Sequence, residues 1–99
     1  MDIVIYMREE DFNHKTDSEV YAYWSMGRVP KNFKAGERIY FAVRLKDEEC
    51  YVRGFVVCGI FDPDDLGGET LQWDGCTWKE IFPGIPCKPF RGFRYKWWK

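Results

Sequence analysis

The stretch "RIYFAVRL", Arg38 to Leu45, constrains this chain most, because its side chains alternate with a period of two. Ile39, Phe41, Val43 and Leu45 fall on one face of an extended chain, and Arg38, Tyr40, Ala42 and Arg44 on the other. After an acidic turn through Asp47, Glu48 and Glu49, "YVRGFVVCGIF" supplies a second, longer strand. Gly54 and Gly59 lie inside it, where glycine marks a bulge, a barrel corner or the close approach of another backbone.

Shorter segments surround this pair. "DIVIYM" (2–7) is β-branched and aromatic, and predicts a buried first strand. Thr16-Asp17-Ser18-Glu19 has the form of a capping box, followed at helical spacing by Val20, Tyr23 and Trp24. That spacing predicts a short helix over 17–26, stopped at Gly27. "RVPKNFKAGE" reads as a loop, broken by Pro30 and turned at Gly36. "LQWDG" is a short strand, "WKEIF" one helical turn, and "PGIPCKP" an extended, proline-stiffened stretch. "FRGFRYKWW" closes the chain as a strand, with Phe93, Tyr95 and Trp97 inward and Arg94, Lys96 and Trp98 outward.

With 99 residues, 45% of them hydrophobic and 19% aromatic, the chain has material for one core and is expected to form a single domain, 1–99. The expected fold class is α+β, mainly β. A small barrel of about five to six strands, closed or half-closed, with one or two short flanking helices, would leave few exposed edges.

No apolar run approaches the roughly 20 residues that span a bilayer, and the N-terminus carries acids where a secretory signal has cations. A cytoplasmic protein without a membrane partner is expected. Cys50, Cys58, Cys76 and Cys87 show no zinc-ligand spacing, and His14 is the sole histidine, so neither metal nor cofactor is expected. The cysteines read as small core residues without a disulfide. Asp62, Asp64 and Asp65 lack a calcium-loop spacing and read as an acidic, solvated turn. Glu37 next to Arg38 reads as a turn–strand charge pair rather than a general base. No nucleophile stands with a paired base, so no catalytic residue is assigned.

The formal net charge of -1 hides an asymmetry. Arg28, Lys31, Lys34, Arg38 and Arg44 face one nearby acid, Glu37, and the tail adds Lys88, Arg91, Arg94, Lys96 and Lys99 against none. If the two segments meet in space they form a cationic surface suited to an anionic partner.

Three stretches in order carry a resemblance: "YWSMGRVPKNFKAGERIYFAV" (Tyr23 to Val43), "VRGFVV" (Val52 to Val57) and "WKEIFPGIPCKPFRGFRY" (Trp78 to Tyr95). A Trp-bearing helix, a basic Pro-containing loop, "GERIYF" opening a strand and a final "PFRGFRY" strand resemble the PUA-like superfamily, nearest its small EVE-type and ASCH-type members. The resemblance implies a small β-barrel that binds RNA or a modified nucleobase. The ASCH hallmark loop, G-x-K-x-x-E-x-R, is absent, the corresponding loop reading "GRVPKNFKAGER".

The candidate ligand contacts follow. Arg28, Lys31 and Lys34 on the loop and Arg91 and Arg94 in the tail are expected to hold phosphates. Trp24, Ser25 and Tyr40 form a candidate base pocket, with Trp98 as a stacking surface beside the tail's cations. The alternatives are a small ASCH-type hydrolase acting on RNA or a modified nucleoside, and a protein-interaction module with an exposed apolar patch.

Overall fold

Antiparallel pairing of the two long alternating runs forms the centre of the fold. In the computed structural model, which describes residues 1–45 and 49–98, the chain runs β1 (Ile3–Arg8), α1 (Glu9–Lys15), β2 (Tyr21–Trp24), β3 (Arg38–Arg44), β4 (Cys50–Phe61), β5 (Leu71–Asp74), a 3-10 turn (Gly75–Thr77), β6 (Lys79–Pro86) and β7 (Phe93–Tyr95). Asp47 and Glu48 of the acidic turn, and Lys99 of the basic tail, lie outside the described residues. The strand order is β2-β5-β4-β3-β1-β7, with β6 also paired to β4. β1 and β3 are parallel, with Ile3 opposite Ile39 and Ile5 opposite Phe41.

Among the described residues the fold is mainly β with one α-helix, as the composition of the runs implies, but the seven strands form an open sheet. The barrel of five to six strands expected from the sequence is therefore corrected: β2 and β7 end the sheet, and no pairing joins them among the described residues. The glycines that suggested barrel corners serve another purpose. β4 is long enough to pair β3 along one edge while β6 and β5 share the other in succession. Arg53 is skipped in both the β3 and β6 registers, and Gly59 in that of β5. Each irregularity re-aims the strand.

Both sheet faces are buried. Ile3, Ile5, Met7, Ile39, Phe41, Val43, Val56, Leu71 and Trp73 build the main core. Val4, Tyr40, Ala42, Cys50 and Val52 build a smaller one on the opposite face, roofed by Ile85, Cys87, Phe90 and Trp98. The second face of β3, which carries Tyr40 and Ala42, is thus covered by later segments of the chain. The skip at Arg53 explains why Val52 serves the smaller core while Val56 serves the main one.

The helix predicted over 17–26 is not formed. The helix lies at Glu9–Lys15, where Glu9, Glu10 and Asp11 occupy the first turn and His14 and Lys15 the last, matching the helix dipole at both ends. Thr16, read as an N-cap, closes this helix: its hydroxyl and its N–H both donate to the Phe12 carbonyl. Tyr21–Trp24 are instead extended, with Ala22 buried opposite Trp73 and Tyr21 and Tyr23 outward. An aromatic run favours a strand once an edge is available. "WKEIF" likewise enters β6 rather than making a helical turn.

Candidate nucleic-acid interface

The basic loop is held in place by its apolar residues. Pro30 and Phe33 are buried, and Phe33 meets Phe61 edge to face at 5.3 Å. The Phe33 N–H donates to the Pro30 carbonyl, and the Gly36 N–H, at φ 95°, donates to the Cys58 carbonyl. Anchored at both ends, the loop turns Arg28, Lys31 and Asn32 toward β7.

There the two basic segments meet. The Asn32 N–H donates to the Tyr95 hydroxyl at 3.0 Å, and the Arg28 guanidinium lies 5.7 Å from the centre of the Phe93 ring. Arg28, Val29, Lys31, Asn32, Phe93, Arg94 and Tyr95 line a cleft of about 570 Å³. A second cleft, of about 450 Å³, is lined by Pro86, Cys87, Lys88, Phe90, Arg94 and Trp97. Arg94 belongs to both and stands 5.4 Å from the Phe90 ring. Cations over ring faces are drawn there by the ring quadrupole, which limits how far they wander.

No family model, curated protein or solved structure matches the chain.

Of the other expected contacts, Arg91 is exposed beside Gly92 (φ 71°) and lines neither cleft. Lys34 is exposed, and its N–H donates to the Glu37 carboxylate at 2.8 Å. That carboxylate is held below its ordinary range, first by the N-terminal ammonium that donates to it, which does not suit a general base. The base pocket of Trp24, Ser25 and Tyr40 is not assembled. Trp24 packs against the main core from β2, with exposed Ser25 beyond it, whereas Tyr40 belongs to the smaller core across the sheet. Tyr40 is 3% exposed, its ring against Phe55 and Trp98 and its hydroxyl accepting from Arg38 at 3.3 Å. It is a core residue, not a stacking surface.

The tail's inward and outward rings are corrected as well. β7 ends at Tyr95, so the alternation stops there. Trp98 turns in, meeting Tyr40 edge to face at 4.9 Å, and Trp97 turns out, 47% exposed. Trp98→Ala is expected to lower stability by about 2 kcal/mol, and Trp97→Ala by less than about 1 kcal/mol, in paired denaturant titrations. Sequence reasoning missed Asn32, whose contribution is a backbone group, and Trp97, which strict alternation placed inside.

Asp62 and Asp65 accept from the N–H groups of Asp64 and Glu69, as a solvated acidic turn does. Among the described residues, no cluster of three or more His, Cys, Asp or Glu side chains could hold a metal ion. No helix among the described residues is long and apolar enough to cross a membrane.

Proposed function

We propose that this domain binds single-stranded RNA, or a modified base within one, along the track formed by the two clefts. The observation that carries this reading is Arg94, shared by both clefts, with Arg28 and Lys31 on one side and Lys88 on the other. A strand laid across it meets cations at successive positions, and among the described residues lining the two clefts there is no Asp or Glu to compete with phosphates. Trp97 and Phe90 offer ring surface in the second cleft, and base stacking on such rings is worth about 1–3 kcal/mol per base. Trp97 replaces Tyr40 and Trp98 as the stacking residue, and Arg91 and Lys34 act as outlying contacts. Membership of the PUA-like superfamily, with an intracellular RNA partner, is part of the proposal. It is supported by the loop and the "PFRGFRY" strand lying side by side.

Titrating the protein with a short mixed-sequence RNA while following tryptophan fluorescence tests the proposal. Quenching is expected, with affinity falling as salt rises at a log–log slope of about −2 to −3 if three or four phosphates are neutralised. Trp97→Ala should remove most of the quenching. An RNA titration without fluorescence change or mobility shift at low salt overturns the reading. A protein-docking function has one favouring observation: Tyr21 and Tyr23 are exposed on the edge strand β2, and Ile60 is exposed on β4, across β5 from Tyr23.

A further inference from the structure

Two of the four thiols lie against one another across a strand pair. β4 and β6 are antiparallel, with Tyr51 opposite Pro86 and Val52 opposite Ile85. Continued by one position, that register sets Cys50 opposite Cys87, and the Cys87 N–H donates to the Cys50 carbonyl at 3.0 Å. Directly opposed residues of a hydrogen-bonded antiparallel pair have Cα atoms about 5.5 Å apart, inside the range that a disulfide spans. The two Sγ atoms are 2.9 Å apart. Closure to a bond of about 2.05 Å asks for under about 1 Å of sulfur movement and leaves the backbone pairing as it is.

Access is one-sided. Cys50 is 5% exposed, whereas Cys87 lines the second cleft beside Lys88 and Arg94. We propose that Cys50 and Cys87 are a disulfide-forming modification site, oxidised through the second cleft by a small anionic disulfide of the glutathione class. The Cys87 thiolate attacks one sulfur of the disulfide, forming a mixed disulfide and expelling one glutathione thiolate. The Cys50 thiolate then attacks Cys87 Sγ, which forms the Cys50–Cys87 bond and expels the second glutathione thiolate. The two thiol protons end on the two leaving thiolates. The protein loses two electrons, and the disulfide reagent gains them. Burial, then the neighbouring Cys50 thiol, push the Cys87 thiol up to about 12, so exchange is slow and the reduced pair persists without oxidant. The inference does not depend on RNA binding.

Of the other thiols, Cys58 serves as the internal reference and Cys76 is removed. Cys58 is buried, its thiol directed at the Ile60 carbonyl, and Cys76 is exposed in the 3-10 turn. A Cys76→Ser protein, folded and incubated for hours with excess oxidised glutathione, is then denatured, alkylated and mapped by mass spectrometry. The expected result is a linked pair of peptides carrying Cys50 and Cys87, lighter by two hydrogens, alkylation confined to Cys58, and full reversal by dithiothreitol. Alkylation of both Cys50 and Cys87 after oxidation overturns the proposal. So does glutathione retained on Cys87 with Cys50 still alkylatable.

Discussion

Gly54→Ala will cost this protein about 3–5 kcal/mol of stability, enough to unfold much of it if the total lies at the low end of the usual range of about 5–15 kcal/mol. A Cβ at this position would press far inside van der Waals contact with the Lys79 carbonyl oxygen and stand 2.5 Å from Trp78 Cη2. Neither neighbour yields easily. Lys79 is backbone of β6, paired at this point with Phe55 of β4, so moving it breaks the pairing of the two strands. Trp78 is stacked on Phe41 at 5.6 Å, with 24° between the planes, and meets Phe12 edge to face at 5.2 Å. Displacing its indole therefore disturbs the main core and its contact with α1 together. Gly27→Ala is the matched control, because a Cβ there meets nothing within 4 Å, and it should change stability by less than about 0.5 kcal/mol. Guanidinium titrations of the three proteins, followed by circular dichroism, check the difference. Equal midpoints for Gly54→Ala and the parent would mean that β6 does not lie against β4 as described.

Gly54 also shows how far the sequence could be read. Both glycines of "YVRGFVVCGIF" were marked for a bulge, a corner or a close approach, and two of those readings apply. Gly54 is the close approach, and Gly59 the skipped residue of an irregular register. Which was which depended on Trp78, a partner 24 residues further along the chain. The strands at 3–8, 38–44 and 50–61 were legible because β-branched and aromatic residues repeat there with the period that a sheet imposes. The helix was not. A capping box states that a helix can start, and "YAYW" took the open edge of β5 instead, a long-range choice that no local spacing records. The burial of Tyr40 was hidden for the same reason. Alternation assigns a residue to a face, but the cover over that face comes from Phe90 and Trp98, half a chain away. Charge asymmetry did point to the meeting of loop and tail, since Arg28, Lys31 and Arg94 share one cleft. The outward ring was misassigned because β7 is only three residues long and its period ends with it.

The combined substitution Arg28→Glu and Arg94→Glu should weaken RNA binding on the order of a hundredfold at low salt, two charge-assisted contacts at about 1.5 kcal/mol each. It should also make the salt dependence shallower by about 1.4 units of log–log slope, since each neutralised phosphate of a single strand contributes about 0.7. Both effects are needed, because a fold defect lowers affinity without changing the number of ions released. Both side chains are exposed and rest on rings, so their loss forfeits only a weak cation–π contact, about 0.5–1 kcal/mol each. Arg94→Glu alone should do more harm than Arg28→Glu alone, because Arg94 lines both clefts and Arg28 one. Lys79→Glu makes the same change of charge on β6, outside both clefts, and should leave the slope unaltered. Fluorescence titrations at several salt concentrations distinguish these cases. A double variant that keeps the parent's affinity and slope would remove the shared arginine as the organiser of the interface, and with it the reading of the two clefts as one continuous track.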